Sequence, residues 1–526
     1  MNKGFKKLVL MVLAFAMTVS LCACAGGKDT SSADTIEAPA RAATNEINVA
    51  IPQDLDDSLD PHMSVAAGTR EVNFNIFEGL LKVAPDSNIV PAVAEKWEVS
   101  PDGTAYSFTI RQGVKFHNGD VVTADDVVFS ISRCAGMLDD NYYSASGTLA
   151  GIESVKKTDD RTVVITLKAP NAEFLSYLAT TNAAIIPADY EDQATAPVGT
   201  GPFKFVSRSP QENFIMERFD DYWGEKAKLQ KVNYLIIESG SWVMSLKSGA
   251  IDMVAHMTAD QVKSVEDMYV IEKDTMKLVQ AMYLNHNFEP FSDVRVRQAL
   301  CYAVDKQMVT DFVLDGYGVP IGSSMFPAFE RYFIPELTDY YTQDIEKAKA
   351  LLAEAGYADG FEFTLTVPSN YPQHVQTGEV IAEMLKAIGV TAKIQQVEWT
   401  TWTGDVYANR NFEGTIVGFD ASTLTASALL QRWVSDYGKN MINFNNAEYD
   451  ELYAKASVCA DMDEQTELFK RMLTILTEEA ANVYIQDMYD MVAVNPYLDG
   501  LQFYPMYVLD LITVHWTETS KKGIIV

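Results

Sequence analysis

The sequence predicts an α/β fold, on three observations: a strand, a crossover helix and a second strand between residues 343 and 397, short alternating segments between 76 and 197, and 48% apolar side chains in 526 residues. At about 150 residues per structural unit, this length corresponds to two to four units, each able to bury a core of its own. No internal repeat of fixed period is present, which sets solenoids aside.

The chain opens with Lys3, Lys6 and Lys7 followed by the apolar run Leu8 to Val19, so residues 1–23 read as a secretory signal peptide. A bilayer needs about 20 helical residues to span it, and neither this run nor any later one reaches that length. Leu21-Cys22-Ala23-Cys24 resembles the bacterial lipobox, in which small residues admit the peptidase and the cysteine thiol accepts a diacylglyceryl group. Cys24 is therefore expected to be the lipidated first residue of the mature protein. Residues 24–45, rich in Ala, Gly, Ser and Thr, read as a flexible tether.

The globular part starts near Glu46. Ile47 to Ile51 alternates as a half-buried strand ended by Pro52, and Asp60-Pro61 forces a turn. Tyr106 to Ile110 alternates after the turn Pro101-Asp102-Gly103, and Thr162 to Leu167 repeats the pattern, so 76–197 reads as a mixed sheet with helices. The best helix there opens at Thr123, a capping residue with Asp125 and Asp126 in the first turn. Asn118-Gly119 is a hairpin turn signal. Further on, Asp344 caps a helix carrying Ile345, Ala348, Leu351, Leu352 and Ala355 on one face, with Gly356 at its left-handed end. Phe361, Phe363, Leu365 and Val367 then share one face of a strand. A helix with Ile381, Met384, Leu385 and Ile388 follows, stops at Gly389, and returns as the strand Val390 to Val397.

A net charge of −31, made more negative by loss of the leader lysines, repels nucleic acid and anionic lipid. Of five cysteines, only Cys134, Cys301 and Cys459 belong to the mature domain; an odd number cannot pair completely, and all three read as buried apolar fillers. No two of the six histidines are spaced as zinc ligands, there is no nucleophile elbow, and Gly199-Thr200-Gly201-Pro202 reads as a turn rather than a phosphate loop. The sequence thus predicts no catalytic residues, no metal and no cofactor.

Asn75-Ile-Phe-Glu-Gly-Leu-Leu81, Ile89 to Trp97, Tyr106 to Gly119, Thr123 to Ser130, Val198 to Phe205, Asp221-Tyr-Trp-Gly224 and Pro290 to Leu300 follow one another in the order found in the family 5 extracellular solute-binding proteins of ABC importers. The resemblance to this family of oligopeptide-, dipeptide- and nickel-binding proteins spans nearly the whole mature chain. It implies a two-lobed periplasmic-binding-protein-like fold with hinged lobes and an additional inserted α+β domain. Lobe I would be 46–75, 198–275 and 490–526, the inserted domain 76–197, and lobe II 276–489. The function implied is capture of a small solute between the lobes, most readily a peptide, and its delivery to permease subunits. Import of an opine, a nickel complex or an oligosaccharide, and a surface peptide-sensing receptor, are the alternatives. The protein would be a monomer with no nucleic-acid partner, held outside the cell membrane by its lipid.

Peptide-binding relatives grip the ligand main chain as an added strand and set a carboxylate against its ammonium. The matching stretch here is Gly418-Phe419-Asp420-Ala421-Ser422, which has Ser422 at the acid position; Asp420, two residues earlier on the same face of a strand, is the candidate substitute. Phe419, Trp399 and Trp402 are the aromatic candidates, and His62 and Ser64 extend the candidate site from a loop on the opposite lobe.

Overall fold

The computed structural model describes residues 41–64, 66–138, 149–420 and 425–522; the leader with Cys24, most of the tether, and Ser422 lie outside the described residues. Twelve strands hydrogen-bond into one continuous sheet. In its first half the order is Met253–Val254, Glu46–Ile51, Lys231–Ile236, Asn213–Arg218, Phe203–Ser209; Glu46–Ile51 runs parallel to both neighbours and the rest are antiparallel hairpins. In the second half Thr391–Val397, Glu362–Pro368 and Gly414–Asp420 are parallel, and Leu278–Leu284 joins them antiparallel.

Two crossover strands connect the halves. Asn482–Val494 pairs first with Leu278–Leu284, then with Gly318–Pro320, and over its last residues with Val270–Thr275 and Met253–Val254. Alongside it, the ladder of Val270–Thr275 and Leu278–Leu284 breaks at Met276-Lys277, where Lys277 takes a φ of 58°. A side chain held in this left-handed region costs about 1–3 kcal/mol and needs support from its surroundings. Here the buried Lys277 ammonium donates to Thr275 O at 2.8 Å and to Asp274.

Central strands carry apolar residues on both faces because both faces are covered by helices. Along Leu278–Leu284, Val279, Ala281 and Tyr283 enter one core while Met282 and Leu284 enter the other. Glu46–Ile51 does the same in the first half: Ile47, Val49 and Ile51 point one way, Ala50 the other.

The crossover unit forms as the sequence predicts. Asp344 accepts the Lys347 N–H at 2.9 Å, the helix runs Ile345–Glu354, Gly356 takes a φ of 93°, and Glu362–Pro368 pairs parallel with Thr391–Val397. Thr123 and Asp126 close a reciprocal capping box at the start of Ala124–Cys134. Gly119 (φ 96°) donates to Phe116 O in a tight turn.

Two expectations need correction. The region 76–197 holds a four-stranded sheet that is wholly antiparallel, not mixed, because tight turns such as Pro101-Asp102-Gly103 can join only antiparallel neighbours. Thr200, Gly201 and Pro202 form the expected bend, and its glycines also permit close backbone approach: an added Cβ would lie 2.2 Å from Ile76 O at Gly199 and 2.6 Å from Ile76 C at Gly201. Cys134 and Cys301 are buried fillers, but Cys459 is only half-buried.

Candidate interlobe site

The two halves face each other beside the crossover strands, and charged side chains from four separate segments converge there. The helix Ala67–Asn73 of the first half presents Arg70 and Glu71. The end of Gly414–Asp420 presents Asp420 from the second half, and Arg70 Nη2 stands 3.6 Å from Asp420 Oδ2. Both side chains keep about a fifth of their surface open, so the pair is neither a core bridge nor a fully solvated one.

Behind this pair lies His256, in the left-handed region at φ 61° after the short strand Met253–Val254. Its Nδ1 is 2.9 Å from Asp490 Oδ1 on the crossover strand, and its Nε2 is 3.5 Å from Glu71 Oε1. The His256 backbone N–H donates to the same Asp490 oxygen at 2.9 Å, which pins the strained residue in place. Burial by itself lowers an imidazole pKa, but here the Asp490 and Glu71 carboxylates outweigh it and push His256 up to about 10, so it is a cation at neutral pH. Both ring nitrogens are nevertheless buried without an aligned hydrogen bond: the carboxylates are near enough to pair but lie off the N–H directions. The ring stacks on Tyr507, centroids 4.3 Å apart at 13°.

An aromatic wall continues from the second half. Tyr371, at the start of Pro372–Leu385, meets Trp399 edge-on at 5.4 Å; Trp399 stacks on Trp402 at 5.1 Å and 7°, and Trp402 on Tyr407 at 5.8 Å.

The residues nominated from sequence therefore fall in different places. Asp420 stands between the halves, and Trp399 is half-buried next to Tyr371. Trp402 is in the core, donating its indole N–H to Thr415 Oγ1 at 3.0 Å. Phe419 lies on the opposite face of the strand from Asp420, against Tyr283 and beneath the Arg432 guanidinium. His62 and Ser64 are drawn into the scaffold. His62 Nε2 is 2.8 Å from Ala184 O and its Nδ1 is 2.9 Å from Arg133 Nη1, while Arg133 forks onto Asp60. Burial lowers the His62 pKa to about 4, so the ring is neutral and accepts from Arg133. Ser64 donates to Asp60 O and accepts from Asn73. Sequence reasoning missed Arg70, Glu71, His256, Asp490, Tyr371 and Tyr507, none of which carries a local motif.

A second contact joins region 76–197 to the second half. The Ser427 N–H donates to Glu173 Oε1 at 3.3 Å and the Tyr177 hydroxyl to Glu173 Oε2 at 3.2 Å; burial raises the Glu173 pKa.

Residues 88–441 match the family model described as bacterial extracellular solute-binding proteins, family 5, middle. The dipeptide-binding protein of Escherichia coli is 30% identical over 76% of this chain and 81% of its own. The heme-binding protein A of Haemophilus influenzae is 28% identical over 94% of this chain and 96% of its own. Among solved structures, the periplasmic binding protein DppA from Helicobacter pylori, in complex with the peptide STSA, superposes with a TM-score of 0.78 at 26% identity, covering 90% of this chain and 98% of that one. The protein AgaA of A. tumefaciens in complex with agropinic acid gives 0.77 at 26% identity, covering 90% of this chain and 99% of that one. The halves are thus the two lobes of a periplasmic binding protein, and this chain belongs to the family 5 bacterial extracellular solute-binding proteins.

Proposed function

We propose that the protein captures a short peptide between its lobes and delivers it to the permease of an ABC importer. The observation that carries this reading is the Arg70–Asp420 pair: opposite charges on facing lobes, partly open, in a position to receive the ends of a zwitterion. The peptide-binding relatives speak for the same solute class. Asp420 would take the ammonium, Ser422 and the half-open Trp399 would line the solute, and Phe419, Trp402, His62 and Ser64 would hold those groups from behind. Lobe I would comprise 46–75, 198–275 and 490–526, the inserted domain 76–197, and lobe II 276–489, so both crossovers lie at lobe boundaries. The protein would work as a monomer, tethered outside the membrane through Cys24 after cleavage of residues 1–23.

Titration calorimetry with di- and tripeptides, paired with small-angle scattering, tests this. Binding accompanied by compaction is expected. Binding of a non-peptide solute in preference to every peptide would refute the peptide reading, and binding without compaction would refute lobe closure.

A further inference from the structure

We infer that the solute carries a net positive charge, with a basic side chain seated against Glu71, Asp490 and the Tyr507 hydroxyl. This deepens the peptide reading and rests on the interlobe space being the solute site.

The first support is a charge inventory. Three carboxylates meet in the space: Asp420, Glu71 and Asp490. Among the described residues their ion-pair partners are two cations. Arg70 answers Asp420, and His256 is shared by the other two. A neutral His256 would only enlarge the deficit. The other cations nearby are engaged elsewhere: Lys277 with Asp274 and Thr275 O, and Arg432 with Tyr407 on the Phe419 face of the strand, opposite Asp420. Enclosing an uncompensated carboxylate between two lobes is unfavourable, and the molecule entering the space is what can supply the missing charge.

The second support is Tyr507. Its ring stacks on His256, and its hydroxyl has no hydrogen-bond partner among the described residues. Burial raises the hydroxyl pKa well above its usual value, and the neighbouring Glu71, Asp490, Tyr371 and Asp420 add to this. It therefore stays neutral, with lone pairs free to accept from an ammonium or a guanidinium. The groups around it keep some open surface: 15% of the His256 side chain, 17% of Asp490 and 7% of Glu71. A peptide main chain with free termini is neutral overall and can use Arg70 and Asp420 together, so the surplus negative charge calls for a basic side chain.

The test compares Lys-Ala-Ala, Ala-Lys-Ala and Ala-Ala-Lys with Ala-Ala-Ala and Ala-Glu-Ala on the purified protein by calorimetry, with cadaverine as a non-peptide cation. At least one lysine peptide is expected to bind about tenfold or more tighter than tri-alanine, and the glutamate peptide weakest. Asp490→Asn and Glu71→Gln should each shrink the lysine-to-alanine ratio. Tri-alanine binding as tightly as every lysine peptide would overturn the charge inference while leaving the peptide reading in place. Cadaverine binding with no peptide bound would overturn the peptide reading and keep the charge inference. If neither cadaverine nor any lysine peptide binds, the charge inference falls.

Discussion

Asp487, midway along the crossover strand Asn482–Val494, accepts the backbone N–H of Leu278 on the neighbouring crossover at 3.0 Å. The bond bridges the two strands beside the ladder break at Met276-Lys277, where hinge motion must be accommodated. Oδ1 makes this bond; Oδ2 is buried with no hydrogen-bond partner among the described residues. Burial pushes the Asp487 pKa up to about 7 against the opposing pull of the Leu278 N–H and Lys277.

A carboxyl whose folded pKa exceeds its unfolded value binds more protons in the folded state, so its contribution favours folding below about pH 4 and fades as pH rises through about 7. Asp487→Asn keeps an acceptor for Leu278 without the charge. We expect it to melt higher than wild type at pH 8, by an amount corresponding to at most roughly 4 kcal/mol, and to converge with wild type only below about pH 4. Melting curves that differ by the same amount at every pH would rule out this assignment.

Glu173 is buried where region 76–197 meets the second lobe, and burial raises its pKa. Contact between the two should therefore strengthen as pH falls. Energy transfer between dyes on region 76–197 and on the second half should report more of the docked form at pH 5 than at pH 8 in wild type, and little change in Glu173→Gln. An equal pH response in both proteins would show that another group is responsible.

Gly199→Ala places a methyl group 2.2 Å from Ile76 O. The backbone must move, and a loss of about 2–3 kcal/mol or more is expected. Gly240→Ala, with open space around the added Cβ, is the control and should melt within a degree or two of wild type. Comparable melting temperatures for the two variants would contradict the close-approach account.

Asp420→Asn should weaken a bound peptide by roughly 3 kcal/mol, about a hundredfold, because it removes the ammonium's partner. Acetylating the peptide amine should weaken wild-type binding similarly and add little further loss in the variant. Unchanged affinity in Asp420→Asn would make the Arg70 pair a purely interlobe contact.

Cys24→Ala should abolish incorporation of a palmitate analogue into the full-length chain expressed in bacteria. Equal labelling of wild type and variant would refute the lipid anchor.

Local chemistry wrote part of this protein into its sequence. The Asp344 cap, the Thr123–Asp126 capping box, the Asn118-Gly119 turn and the parallel strands around Pro372–Leu385 each depend on residues a few positions apart, where side-chain reach and strand or helix periodicity decide the outcome. The ordered blocks of family-like sequence identified the scaffold in the same way, because they encode turns and core faces. Of the residues gathered beside the crossover strands, the sequence reading named only Asp420 and Trp399. His62 looked available on its loop, but folding places Arg133 and Ala184 around it and engages both ring nitrogens. Arg70, Glu71, His256, Asp490 and Tyr507 come from separate segments and meet only after the crossover strands have set the lobes face to face. Their charge balance, and with it the class of solute they favour, is a property of distances across that space, and no spacing along the chain encodes such distances.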